Sequence, residues 1–215
     1  MSTRAIPPAR PLWGSLRDVV SARTTVRELP DGRFEASILH APLVGVTPAM
    51  IAWYLRNMSR EMTFRGETAQ AYLWWHPLDH VHIDVVRRAP NGTVGPGCRF
   101  RIQEAFGRQE RFRVDEVVEV VRLDEGGITL EQHRLGQLVF RLAHTFTPTA
   151  SGTQYDSRMV LGSDVWWFKG LANRMRRRRF PEEKQLRWLR HNVEEVGYLE
   201  HFLPDLFAAQ QGGAV

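Results

Sequence analysis

The fold of this chain is decided near its C-terminus by residues 181–202, which read PEEKQLRWLRHNVEEVGYLEHF. Pro181 fits the first turn of a helix, and Glu182 and Glu183 favour the positive end of the helix dipole. Apolar residues then recur at helical spacing as far as Phe202, and a proline two positions later ends the pattern. We therefore predict one long C-terminal helix.

In the residues before this helix, apolar and polar side chains alternate with a period of two. In residues 72–161, several alternating runs are separated by the turn sequences Pro90-Asn91-Gly92, Gly95-Pro96-Gly97, 124–127 and Ser151-Gly152. This pattern predicts an antiparallel meander, preceded by a helix that starts at the N-cap Thr47 and ends near Arg60. A curved antiparallel sheet closed by a long C-terminal helix is similar to the helix-grip arrangement of Bet v 1 and START-like proteins, in which sheet and helix enclose a cavity. The predicted fold class is α+β of this helix-grip kind, and an ordinary α+β sandwich is the alternative.

Length and composition predict a single domain. The chain has 215 residues, 43% of them hydrophobic, enough for one sizeable core. We predict an extended or poorly ordered arm over residues 1–20, which has three prolines, and one domain over residues 21–215. Cys98 is the single cysteine, which favours a cytoplasmic location. No signal peptide or membrane-spanning stretch is found, so no membrane partner is expected.

Two strand residues place a titratable side chain on an apolar face. Glu104 alternates in phase with Phe100 and Ile102, and His144 does so with Leu142 and Phe146. A buried carboxylate costs several kcal/mol or takes up a proton unless a cation neutralises it. Both side chains therefore need a partner or a chemical role.

The long helix shows the same feature. His191 and Glu195 are four residues apart and share a stripe with Trp188. A second apolar stripe runs along the opposite side and consists of Leu186, Leu189, Val193 and Val196. A helix that is apolar on two sides is covered on both, and a second subunit, in a homodimer, is one surface that could cover the second stripe.

His80 begins a strand and completes a set of two imidazoles and two carboxylates with Glu104, His191 and Glu195. Such a set suits Zn²⁺, and two carboxylates balance the charge of one divalent ion. The alternative for each residue by itself is a hydrogen-bonded core histidine or an intrahelical His–Glu pair. His76 and Asp79, close to His80 in the sequence, could orient a ligand ring.

Several segments resemble the diacetylphloroglucinol hydrolase family, which includes phloretin hydrolase. They begin with Gly45-Val46-Thr47-Pro48-Ala49-Met50 and the motif Tyr72-x-x-Trp75-His76-Pro77-x-Asp79-His80. The resemblance continues through the strands that carry Glu104 and His144 to the His191-x-x-x-Glu195 helix, and covers about residues 40–203.

The resemblance implies a zinc enzyme that hydrolyses a carbon–carbon bond between an acyl group and a phenolic ring. It places the zinc ligands on His80, Glu104, His191 and Glu195, a substrate-contacting tyrosine on Tyr72 and the catalytic histidine on His144. An asparagine expected three residues after the first ligand is Ile83 here. The second substrate-contacting tyrosine is replaced by Met159, with Tyr155 as a substitute.

The predicted activity is therefore retro-Claisen deacylation of an acylated phenolic or β-dicarbonyl ketone, with Zn²⁺ as cofactor. Predicted substrate contacts are Ile83, Tyr155, Met159 and the aromatic Trp188. One alternative is a metal-free helix-grip protein, either a cyclase or a binder of a hydrophobic aromatic molecule. A second is a nucleic-acid binder that uses Arg174 and residues 176–179 beside Trp166 and Trp167, but a solvated face explains this arginine run better. No nucleic-acid partner is therefore expected.

Overall fold

The computed structural model describes residues 3–212. The strands are β1 Arg23–Glu28, β2 Phe34–Leu39, β3 Leu43–Val44, β4 Glu61–Phe64, β5 Glu67–Gln70, β6 His80–Arg87, β7 Arg99–Ala105, β8 Arg113–Asp124, β9 Gly127–Arg134, β10 Gln137–Thr149 and β11 Gly152–Leu161. The α-helices are α1 Pro48–Asn57, α2 Tyr72–Trp75, α3 Lys169–Arg179, α4 Glu182–Tyr198 and α5 Leu203–Gly212. Short 3₁₀ turns cover Val19–Ser21, Phe106–Arg108, Glu110–Phe112 and Leu199–His201.

One antiparallel sheet dominates the molecule. Its strand order is β1-β2-β11-β10-β9-β8-β7-β6, with β3 paired to β11, while β4 and β5 form a separate hairpin. The predicted meander corresponds to β6–β11, in which each strand pairs with the next along the chain. The strands β1 and β2 were not predicted, and they extend the sheet beyond β11.

The sheet curves around α4. Leu189 and Val193 belong to the same apolar cluster as Ala36 of β2, whereas His191 Nε2 lies 3.9 Å from Glu104 Oε2 of β7. In a flat sheet, five steps between neighbouring strands would separate β2 and β7 by about 24 Å, but a helix with its side chains is only about 10 Å wide. A helix can touch both strands only if the sheet wraps around it, so the predicted α+β helix-grip fold is confirmed.

The predicted helices need three corrections. Residues 72–75 form the short helix α2 rather than the start of a strand. The long helix ends at Tyr198, and Pro204, expected to end it, lies in the first turn of α5, where a proline needs no backbone partner. The arginine run lies in a further helix, α3. The helix predicted from Thr47 is present as α1, and the Thr47 side chain accepts a hydrogen bond from the Met50 N–H.

The second stripe of α4 is covered by the chain itself. Leu189, Val193 and Val196 are buried, and only Leu186 is exposed. The apolar cluster around Leu189 also includes Val19, from the 3₁₀ turn at the end of the N-terminal arm. This stripe therefore gives no reason to expect a second subunit, and a homodimer stays a prediction without support from α4.

The N-terminal arm lies against the body of the protein. Residues 3–18 form no helix or strand, but the Trp13 ring packs against Phe64, Trp74 and Phe202. The backbone N–H of Trp13 also donates a hydrogen bond of 2.6 Å to the Tyr198 hydroxyl. The division into an arm, residues 1–20, and a domain, residues 21–215, stays a prediction. No helix within residues 3–212 has the length and apolar character needed to cross a membrane.

Candidate metal centre and the buried polar network

Strand register and helix spacing bring the four predicted ligands together. His80 pairs directly with Glu104 across β6 and β7, and a β-bulge follows between His80 and His82. The bulge separates the two histidines: His80 is buried, whereas His82 contacts Asp84. Bulges commonly re-aim a side chain in this way. His191 and Glu195 of α4, one helical turn apart, approach the same point from the opposite side.

Four distances between histidine nitrogens and carboxylate oxygens are close to those expected around a zinc ion. Glu195 Oε2 lies 3.4 Å from His80 Nε2 and 3.7 Å from His191 Nε2. Glu104 Oε1 lies 3.7 Å from His80 Nε2, and Glu104 Oε2 lies 3.9 Å from His191 Nε2. Ligand bonds of 2.0 to 2.2 Å put neighbouring donors about 3.3 to 3.6 Å apart on a tetrahedron. The observed distances are near this spacing and too long for good hydrogen bonds. His80, His191 and Glu195 converge with one donor atom each, whereas the half-buried Glu104 approaches the two imidazoles with different oxygens.

Both imidazoles use their other ring nitrogen to fix their orientation. His80 Nδ1 lies 2.7 Å from the Tyr72 carbonyl oxygen, and His191 Nδ1 lies 3.1 Å from Asp79 Oδ2. Nδ1 bonds of this kind are typical of histidines that bind a metal through Nε2. His80 Nε2 is buried and has no hydrogen-bond partner. A buried nitrogen without a partner is costly, so the position favours a ligand that the nitrogen can bind.

The electrostatics of the cluster also favour a cation. Burial lowers the pKa of His80 to about 3, against the attraction of Glu104. Burial also lowers the pKa of His191, but the charge of Glu195 and the contact with Asp79 outweigh it and bring the pKa to about 9. Burial raises the pKa of Glu195. Without an ion the group therefore keeps a proton on His191, and a divalent cation can provide the balancing charge instead.

His76 and Asp79 support His191 from behind. The His76 ring stacks on the His191 ring at 4.5 Å, and His76 Nε2 lies 3.1 Å from Glu194 Oε2. The buried groups His80–His191–Glu195 and His76–Asp79–His191 could each hold a metal ion. Asp79 was expected to orient His80, but it contacts His191 because it precedes the strand and faces α4.

Tyr72 contacts two members of the cluster, and its expected catalytic and substrate-contacting role stays a prediction. Its hydroxyl donates a hydrogen bond of 2.5 Å to Glu104 Oε1, and its ring stacks on His80 at 3.8 Å. Burial raises the pKa of Tyr72 well above its ordinary value, and the charge of Glu104 adds to this shift. Tyr72 therefore stays protonated and holds one oxygen of Glu104 in place.

His144 belongs to a second polar group, centred on Ser157. His144 Nδ1 and His40 Nε2 both lie 2.9 Å from Ser157 Oγ. Burial lowers the pKa of both histidines to about 3, so both rings are neutral at pH 7. A hydroxyl has one proton and can accept two hydrogen bonds. Ser157 therefore links the tautomers of the two imidazoles.

Tyr155 lies between the two polar groups. Its ring lies 5.2 Å from the His144 ring, and the charge of Glu195 adds to burial in raising its pKa. The Tyr155 hydroxyl is buried and has no hydrogen-bond partner. On the helix side, Asn192 donates a hydrogen bond of 2.5 Å to Glu195 Oε1.

The other predicted substrate contacts are divided between two parts of the core. Ile83 belongs to the apolar cluster that includes Tyr155, whereas Met159 and Trp188 belong to the other apolar cluster, around β2. All four residues are buried. The structure therefore does not bring them together at one point, and their contacts with a substrate stay predictions.

Two surface concavities lie near the buried polar residues. The smaller, of about 240 Å³, is lined by Asp79, His191 and Glu194 of the cluster, with Leu78, Gly107, Arg108, Arg187 and Arg190. The larger lies on the side of Tyr155. It has a volume of about 570 Å³ and is lined by Thr47, Pro48, Ala49, Glu125, Gly126, Phe146 and Pro148. The Phe146 ring forms part of this wall and lies 4.9 Å from the Tyr155 ring. One aromatic side chain therefore separates the larger concavity from the buried polar residues.

Sequence reasoning missed His40 and Ser157. Both could have been found by their period, because Phe34, Ala36, Ile38 and His40 share one buried face, and so do Tyr155, Ser157 and Met159. The strand β2 was not recognised, so its alternation was not used. The same signal that identified His144 therefore applies to its partners.

Comparisons with known proteins give distant structural likenesses. No family model and no curated protein matches the sequence. Protein Ms6760 from Mycobacterium smegmatis has a TM-score of 0.47 and 13% identity, over 88% of this chain and 99% of that one. Ara h 8.0201 has a TM-score of 0.42 and 12% identity, over 81% and 99%. The di-domain ARO/CYC BexL from the BE-7585A biosynthetic pathway has a TM-score of 0.43 and 12% identity, over 77% of this chain and 51% of that one. Likenesses this distant carry no functional argument.

Proposed function

We propose that this chain is a zinc-dependent hydrolase that cleaves a carbon–carbon bond in an acylated phenolic or β-dicarbonyl ketone. The observation that carries the proposal is the convergence of His80, His191 and Glu195 with one donor atom each, with the Glu104 carboxylate beside them. The four His–Glu donor distances are 3.4 to 3.9 Å. The resemblance of the surrounding motifs to diacetylphloroglucinol hydrolases supplies the reaction type. A lone Cys98, which is buried, fits a reducing compartment, so we propose a cytoplasmic location.

Zinc is the ion that this donor set fits best. Two imidazole nitrogens and two carboxylates in a tetrahedral arrangement suit Zn²⁺, whereas Mg²⁺ and Ca²⁺ prefer six or more oxygen ligands. When bound, the ion would supply Lewis-acid activation of a ketone carbonyl. His80, Glu104, His191 and Glu195 would hold the ion. The Tyr72 hydroxyl, which donates to Glu104 Oε1, would keep that carboxylate in place.

We propose that Tyr155 and His144 act on the substrate. A ketone between Glu195 and His144 would meet the Tyr155 hydroxyl, which has no partner of its own. Hydrolysis adds hydroxide to the acyl carbon and a proton to the departing ring carbon. His144 could take the proton of the attacking water on its unprotonated nitrogen and then give the same proton to the ring carbon, which returns the imidazole to its neutral form. Ser157 and His40 position the ring through the hydroxyl bridge.

We propose that an aromatic substrate enters from the surface beside Phe146. The concavity beside Pro148 and Phe146 is large enough for a small phenolic ketone, at about 570 Å³. Rotation of the Phe146 ring would connect it to Tyr155. The substrate would then reach the polar residues between sheet and helix without passing the ligand side chains.

The metal site is tested by the metal content of the purified full-length protein, measured by mass spectrometry. We expect about one zinc ion per chain in the wild type and little in Glu104→Ala or His191→Ala, because each removes a ligand. His82→Ala is the matched control, since His82 contacts Asp84 instead. Circular dichroism checks that all variants are folded. If zinc is bound, acylphenols and β-diketones are then screened as substrates.

A wild type without metal after reconstitution would contradict the proposal. The remaining function would then be a metal-free helix-grip protein that binds or cyclises a hydrophobic aromatic molecule. Equal zinc content in the wild type and in both ligand variants would mean that the ion is bound at another site, and it would contradict the proposed metal site.

A further inference from the structure

Four large apolar side chains are exposed around α3. The exposed fractions are 82% for Trp166, 52% for Trp167, 57% for Leu171 and 44% for Met175. Trp167, Leu171 and Met175 are spaced by four residues, so they form one row along the helix and the turn before it. Two neighbouring exposed tryptophans beside Leu and Met are costly in water, and such a patch marks a binding surface.

The opposite face of α3 fixes this row in place. Asn173 Nδ2 donates a hydrogen bond of 2.9 Å to the Asp31 carbonyl, and Arg176 donates one of 2.8 Å to Glu28. Phe168 and Ala172 are buried on the same face. The helix is therefore tied to the turn between β1 and β2, and the apolar row points away from the body.

The patch also carries unpaired positive charge. Lys169, Arg174 and Arg178 are exposed and contact no acidic side chain within the described part of the chain, residues 3–212. Arg177, by contrast, pairs with Glu28 at 2.6 Å. Arg174 and Arg178 lie three residues after Leu171 and Met175 respectively, so they flank the apolar row.

We propose that this patch docks the protein onto a bilayer that contains anionic phospholipid. Tryptophan prefers the interface between headgroups and acyl chains, leucine and methionine can enter the acyl region, and arginine attracts anionic headgroups. A second copy fits less well, because a two-fold contact would bring two cationic helices together with no acidic residue in the patch. A single-stranded nucleic acid would use the tryptophans for stacking but leave Leu171 and Met175 without a role. Docking of this kind is peripheral, so it needs no membrane-spanning segment.

The proposal is tested by sedimentation of the full-length protein with lipid vesicles. One set contains phosphatidylcholine alone, and the other an equal mixture with phosphatidylglycerol. We expect binding to the anionic vesicles that weakens with added salt, and little binding to the neutral ones. Trp166→Ser with Trp167→Ser should reduce the partition coefficient about tenfold or more. Arg174→Gln with Arg178→Gln should reduce it by roughly fivefold per charge.

A matched pair of variants distinguishes binding through the patch from a general effect of removing one exposed aliphatic residue and one positive charge. Leu171→Ser with Arg174→Gln should weaken binding, whereas Val20→Ser with Arg88→Gln, which removes an exposed aliphatic and an arginine elsewhere, should not. Equal loss in both pairs, or no binding to anionic vesicles, would overturn the proposal. It would also be overturned by tighter binding to single-stranded DNA through the same residues, or by a solution dimer that Trp166→Ser with Trp167→Ser dissociates. These variants lie outside the proposed metal site, so zinc content should not change and the test is independent of the proposed reaction.

Discussion

At the scale of single residues, Ser157 connects two buried histidines through one hydroxyl group. Its hydroxyl lies 2.9 Å from both His144 Nδ1 and His40 Nε2, and all three side chains are buried. One hydroxyl on β11 is therefore the hydrogen-bond partner of two ring nitrogens, one from β10 and one from the residue that follows β2. A buried polar atom that loses its partner pays the full cost of leaving water, so the three residues depend on one another.

We predict that Ser157→Ala destabilises the protein by about 1 to 3 kcal/mol, because it leaves two buried ring nitrogens without a partner. The free energy of unfolding is measured in urea, together with zinc content, which should not change. Thr145→Ala is the control, since Thr145 is exposed on the neighbouring strand. A Ser157→Ala variant as stable as the control would mean that the bridge is not formed.

At the scale of secondary-structure elements, the turn from β8 into β9 allows β9 to lie close to β10. Gly127 has a φ of +150°, and a Cβ at this position would come within 2.2 Å of the His144 carbonyl oxygen. Backbone cannot move away as a flexible side chain can. The close approach of β9 to β10 therefore requires glycine, and it holds the strand that carries His144.

We predict that Gly127→Ala lowers the free energy of unfolding by about 2 kcal/mol or more, because it adds a backbone collision to an unfavourable φ. Gly136→Ala is the matched control: Gly136 has a φ of +75°, but nothing lies within 4 Å of an added Cβ. The control should lose only about 1 kcal/mol. Thermal unfolding of both variants distinguishes them, and equal losses would argue against the collision.

At the scale of the whole molecule, the arm closes the core at the C-terminal end of α4. Trp13 lies 5.3 Å from Phe64, 5.8 Å from Trp74 and 6.0 Å from Phe202, measured between ring centroids. These partners come from β4, α2 and the segment after α4. A single side chain of the arm therefore joins elements that are distant in the sequence.

We predict that Trp13→Ala destabilises the whole protein by about 2 to 4 kcal/mol, because it leaves a cavity among the three aromatic rings. Leu12→Ala is the control, since Leu12 is exposed. Urea unfolding monitored by circular dichroism gives both values. If the two variants unfold alike, the arm contributes little to the folded domain, and a poorly ordered arm over residues 1–20 would be the better description.

Local periodicity by itself determined the antiparallel meander, the long helix and the burial of His144 and Glu195. It did so because the side-chain period of a strand or helix fixes which residues face the core, whatever the core contains. Only the tertiary structure decided that Asp79 meets His191, 112 residues away, that the bulge after His80 turns it inward, and that Ser157 joins His144 to His40. Such contacts depend on strand register and sheet curvature, which are set by packing across the whole domain and leave no local pattern in the sequence.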